Sequence, residues 1–95
     1  MLDQVKMVAK LKKAQKELSK EVVEVEAGDG AVVVQVNGEL KLIDVKIDPA
    51  YVDLEDIKEL EGWIKEAVRE ATNAAQELAA EKMKPLMGSL GNLGL

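Results

Sequence analysis

The sequence predicts an α+β fold: a helix, a three-stranded antiparallel sheet, and a second helix or helix pair. Three observations carry this. Apolar residues recur with helical spacing up to Lys20. They alternate with strand spacing from Val23 to Ile47, across two turn signals. Helical spacing then returns beyond Pro49. The chain has 95 residues, 47 % of them hydrophobic and 33 % charged. That is enough for one packed domain and too apolar for a disordered chain.

The first segment, Leu2 to Lys20, holds no Gly or Pro, and Met7, Leu11, Ala14 and Leu18 fall on one helix face. Val8 widens this stripe. Lys6, Lys13 and Lys20 repeat every seven residues on the opposite side, flanked by Lys10, Lys12 and Lys16. Val23, Val25 and Ala27 then alternate with Glu24 and Glu26, as in a strand with one wet face. Gly28-Asp29-Gly30 makes a turn. Ala31 to Val36 is a second strand, apolar enough for partial burial on both faces. Asn37-Gly38 signals a hairpin, and its composition predicts a type I′ turn. The third strand runs from Glu39 to Asp48. Its alternation changes phase at Leu42-Ile43, which predicts a bulge or a strand that changes the face it buries.

Asp48-Pro49 ends the sheet. Asp53 is the expected cap of a helix reaching about Lys84, with Ile57, Leu60, Ile64, Ala67, Ala71, Ala75 and Leu78 as its apolar stripe. Gly62 is a candidate kink or break, and Pro85 an expected stop. Three strands leave two edges and two faces, and two helices cannot cover them all. A two-fold dimer would bury what is left. The expected organisation is a single dimerising domain over residues 1–86 and a flexible Gly/Leu tail over residues 87–95.

Composition excludes several functions. There is no Cys and no His, so disulfides, thiolate metal sites and His-dependent catalysis are ruled out. Ser19, Thr72 and Ser89 have no such base to activate them, and no catalytic residue or enzyme activity is expected. The acids between Glu21 and Glu61 read as solvent-facing strand positions and helix-start carboxylates rather than a metal site. Neither glycine-bearing turn has a phosphate-loop pattern. No metal, cofactor or small-molecule substrate is therefore expected. With only Tyr51 and Trp63 as aromatics, a base-stacking platform is not expected either. The longest apolar runs are four residues, against about 20 for a membrane-spanning helix. The N-terminus lacks the separate apolar block of a signal peptide.

The formal net charge of −5 hides a strong asymmetry. Residues 1–20 carry six lysines against Asp3 and Glu17. Residues 21–64 carry three lysines against twelve acids. Residues 65–95 are balanced. The residues alone leave two readings of the lysine face, a phosphate-binding surface or the solvated side of an amphipathic helix.

The chain resembles the YbaB/EbfC family of bacterial nucleoid-associated proteins. The resemblance rests on MVAKLKKAQKELSK (Met7 to Lys20), AGDGAVVVQVNG (Ala27 to Gly38), LIDVKIDP (Leu42 to Pro49) and EAVREATNAAQELAAEKM (Glu66 to Met83), in that order. It implies a homodimer with a central sheet and projecting helical arms. It also implies double-stranded DNA as ligand, weak sequence preference, and a place in the cytoplasm on the nucleoid. On that reading Lys6, Lys10, Lys13, Lys16 and Lys20 are the expected phosphate contacts, with Lys82 and Lys84 behind them. Arg69 is the sole arginine, which argues against base readout by arginine clusters. The alternative is a protein-interaction scaffold with little DNA affinity, its arms or tail gripping a protein partner.

Overall fold

The computed structural model describes residues 2–92. In order come α1 (Leu2–Lys20), β1 (Val22–Ala27), β2 (Val32–Asn37), β3 (Leu42–Ile47), a single 3-10 turn (Pro49–Tyr51) and α2 (Ile57–Asn92). The strands form one antiparallel sheet with β2 in the middle. This is the expected α+β order. The third strand is shorter than its pattern suggested, because Glu39 to Lys41 belong to the hairpin turn.

Burial follows the period-2 pattern. Val32, Val34 and Val36 are the largest fully buried side chains, and they meet Ala67, Ala71 and Ala75 of α2. Those alanines recur every four residues, so α2 presents a flat row of methyls to the sheet and approaches closely. Each buried valine stabilises the fold by roughly 1.5–3 kcal/mol. Val23, Val25, Val45, Leu60, Trp63, Ile64 and Val68 pack around this centre. Val33, on the opposite face of β2, is half-buried. The phase change in β3 is a true bulge. Gln35 pairs with Asp44 and Val36 with Leu42, so Ile43 is the extra residue.

The Asn37-Gly38 hairpin is there, but not as type I′. Neither residue has positive φ. The left-handed position falls on Leu40, at φ 67°. The Leu40 N–H donates to the Asn37 carbonyl at 2.9 Å, and the Asn37 N–H donates to the Lys41 carbonyl at 3.0 Å. The physical reason is that Asn37 is committed elsewhere. Its side chain accepts from the Glu39 and Lys41 amides, each at 3.0 Å, and donates to the Ser19 carbonyl at 3.2 Å.

α2 departs from expectation at both ends. Its cap is Asp56, not Asp53. The Asp56 carboxylate accepts from the Glu59 amide at 3.3 Å, while Asp53 shapes the preceding turn by accepting from Glu55 at 2.9 Å. Asp56 and Glu59 have the spacing of a capping box. Replacing Asp56 with Ala is expected to lower stability by about 1 kcal/mol, read as a lower urea midpoint. The helix passes Gly62 without a break and does not stop at Pro85; it continues to Asn92. Proline's fixed φ is itself helical, and the ring removes one i→i−4 bond while flanking turns keep theirs. Residues 87–92 of the expected tail extend this helix, and residues 93–95 lie outside the described residues.

A 36-residue helix is about 54 Å long, far longer than a six-residue strand. The molecule accordingly measures 63 × 19 × 15 Å. α1 packs on the part of α2 that leaves the sheet, and the two form a projecting arm.

Candidate nucleic-acid interface

α1 is amphipathic because one side must meet α2. Ala14 and Leu18 are buried, and Met7 and Leu11 are half-buried. The remaining circumference carries the lysines. Lys6, Lys10, Lys12, Lys13, Lys16 and Lys20 are all exposed. Lys20 lies in the last turn, where the helix dipole favours a cation. Lys84 is exposed on α2.

Three of the lysines expected at the site converge from two helices. Lys10 and Lys13 of α1 and Lys82 of α2 line an open groove of about 230 Å³ with Ala14, Glu17, Pro85 and Leu86. Lys6, Lys16, Lys20 and Lys84 do not line this groove. Lys82 is already partnered. Its Nζ lies 2.7 Å from Glu17 Oε2 and 3.7 Å from Glu21 Oε1. Hydrogen bonding to Lys82, reinforced by its charge, holds the Glu17 carboxyl below the usual carboxylate range. The hydrogen bond from Glu17 holds the Lys82 ammonium above its usual value. The clamp is complete at neutral pH. It is lost in acid, as pH falls through the lowered Glu17 value, and in strong base, as pH rises through the raised Lys82 value.

Glu17 is the groove residue that the sequence did not single out. It sits within a lysine-rich helix as an ordinary acid, and its partner lies a whole fold away in the chain. The acidic sheet positions are elsewhere. Glu24 and Glu26 are exposed on β1, opposite Gln35 and Val33 of β2. Among the described residues no group of three or more acids is placed to hold a metal ion. No helix among them is long and apolar enough to cross a membrane.

The fold and this surface together define a class: a small α+β protein that presents a lysine-faced helical arm beside an acidic sheet. The chain matches the YbaB/EbfC DNA-binding family over residues 1–90. It belongs to that family, which is not an enzyme family. It is 39 % identical over 89 residues to a nucleoid-associated protein of Rhodococcus jostii, covering 94 % of this chain and 79 % of that one. It is 38 % identical over 87 residues to a nucleoid-associated protein of Chloroflexus aurantiacus, covering 92 % and 87 %. One from Corynebacterium jeikeium is 41 % identical over 88 residues, covering 93 % and 85 %. The crystal structure of the uncharacterised protein HP0035 from Helicobacter pylori shares the fold. Its TM-score is 0.80 at 20 % identity, covering 88 % of each chain.

Proposed function

We propose that this protein is a nucleoid-associated DNA-binding protein that works as a homodimer in the cytoplasm. It holds duplex DNA with little sequence preference. The observation that carries the reading is the exposed lysine face of α1, with Glu24 and Glu26 exposed on β1 apart from it. Lys6, Lys10, Lys13, Lys16 and Lys20 are the first-rank phosphate contacts, with Lys82 and Lys84 second. Ammonium groups neutralise phosphates without distinguishing bases, and the acidic sheet turns the polyanion toward the arm. The domain comprises residues 1–86, with residues 87–95 following it.

Titration into a labelled random duplex at about 50 and then 200 mM salt tests this. Binding that weakens steeply with salt and is competed by unrelated DNA supports the reading. No binding at the lower salt overturns it, and a protein scaffold then becomes the better account.

Exposed apolar residues at one margin support the dimer. Leu42, Ile43 and Ile47 of β3 are 55 %, 49 % and 43 % exposed, and Tyr51, Leu54 and Ile57 follow them. α2 packs across the face of β1 and β2 and leaves β3 uncovered, and a second copy would shield it. Sedimentation equilibrium is expected to return about twice the 10.3 kDa chain mass.

Glu17 tempers the arm by occupying Lys82. Glu17→Gln is expected to free that ammonium for a phosphate. The slope of log affinity against log salt should steepen by up to about 0.9 per arm. An unchanged slope would mean that Lys82 stays off the DNA.

A further inference from the structure

Asn-Gly is the dipeptide most prone to spontaneous deamidation, because glycine leaves its own backbone nitrogen free to attack the asparagine side chain. In this protein both groups of that reaction are held. Asn37 is 3 % exposed. Its amide donates to the Ser19 carbonyl, and its oxygen accepts from two backbone amides of the turn. The Gly38 N–H, the nucleophile once deprotonated, donates to the Leu18 carbonyl at 2.9 Å and the Glu21 carbonyl at 3.0 Å. Three of these acceptors belong to the C-terminal end of α1 and the residue after it. Leu18 also packs closely on this turn. A Cβ on Gly38 would lie 2.7 Å from both Leu18 Cδ2 and the Leu18 carbonyl oxygen. While α1 is docked, the Gly38 N–H is taken up by two carbonyls, and its nitrogen is not free to attack.

We propose that Asn37-Gly38 is a latent self-modification site, held off by the docked end of α1 and released when that helix undocks. The chemistry needs only water. The Gly38 nitrogen gives up its proton and bonds to Cγ of Asn37, and the side-chain nitrogen leaves as ammonia. Water then opens the resulting succinimide at one of its two carbonyls, giving Asp or isoaspartate at position 37. Neither product restores the joint. A carboxylate cannot donate to the Ser19 carbonyl and sets like partial charges face to face. Isoaspartate also lengthens the backbone and draws the Gly38 N–H away from its two acceptors. Undocking of the lysine-bearing helix is thereby made one-way, whatever the lysines bind.

The test is peptide mapping by mass spectrometry during incubation of the full chain at mildly alkaline pH. Native protein, protein unfolded in urea, and the variants Leu18→Ala and Glu17→Gln are compared. Modification of a transiently opened site follows the population of the open form, so native protein should convert at least about tenfold more slowly than unfolded protein. Both variants should convert faster than native, in step with faster hydrogen exchange of the Gly38 amide. Glu17→Gln serves if Leu18→Ala does not fold. Native protein converting as fast as the unfolded chain overturns the proposal. So does conversion that fails to follow Gly38 exchange. In Asn37→Asp, hydrogen exchange along α1 should rise while Val32 to Val36 stay protected. Unchanged α1 exchange in that variant would refute the one-way step.

Discussion

Changing Lys6, Lys10 and Lys13 together to Gln is expected to weaken duplex binding by several hundredfold at about 0.1 M salt. Each phosphate contact releases counterions, so each one lost removes about 0.9 from the salt slope. Three lost contacts make it shallower by about 2.7 per engaged arm. All three side chains are exposed, so folding should be unaffected, and far-UV circular dichroism checks that. Replacing Lys41 of the hairpin turn and Lys46 of β3 removes charge from outside the lysine face of α1 and should leave the slope unchanged. Equal losses from both variants would mean that net charge, not the arm, governs binding. A triple variant that binds as tightly as the native protein would remove the lysine face from the interface.

The second large effect is in the turn between β1 and β2. Gly28→Ala is expected to destabilise the fold by about 2–4 kcal/mol, read as a lower urea midpoint with an unchanged slope. Two costs combine. Gly28 has φ 63°, where a Cβ costs roughly 1–2 kcal/mol. That Cβ would also lie 2.5 Å from Trp63 Cδ2 and 2.6 Å from Cε2, and such overpacking costs typically 1–3 kcal/mol. Trp63 is part of the packed surround of the core and cannot swing away freely. Gly30 is the control. It also has positive φ, but a Cβ there meets only Glu26 Oε2 at 3.9 Å. Gly30→Ala should therefore show the backbone cost alone, and tryptophan fluorescence should shift only in the Gly28 variant.

Much of this architecture was legible in the sequence. α1 could be read to its boundaries because a clean lysine face opposes a clean apolar face, with no breaker between. The phase change in β3 was visible as one of two possibilities, a bulge or a change of buried face, and the pairing of Val36 with Leu42 decides for the bulge. The helical stripe of Ile64, Ala67, Ala71 and Ala75 was likewise plain, since apolar residues every three or four positions line one helix face. The misreadings share one cause. Asp53, the Asn37-Gly38 turn and Pro85 were judged by local preference, and in each case a neighbouring group or a continuing element changed the outcome. Asp56 was the better cap by one helical turn. Asn37 was drawn into joining α1 to the sheet. The turns around Pro85 had enough bonds of their own to carry the helix on.

The sequence by itself determined the element order, the core-facing residues and the separation of positive from negative charge. These depend on periodicity and composition, which are local properties of a chain. The tertiary structure alone decided which charges stand free and which are engaged. Lys82 and Glu17, far apart along the chain, meet only because α1 folds back on α2. It also decided that an ordinary hairpin dipeptide should anchor the arm. Asn37 can bond to Ser19 only after helix and sheet have come together, and no local pattern records which distant carbonyl will be waiting.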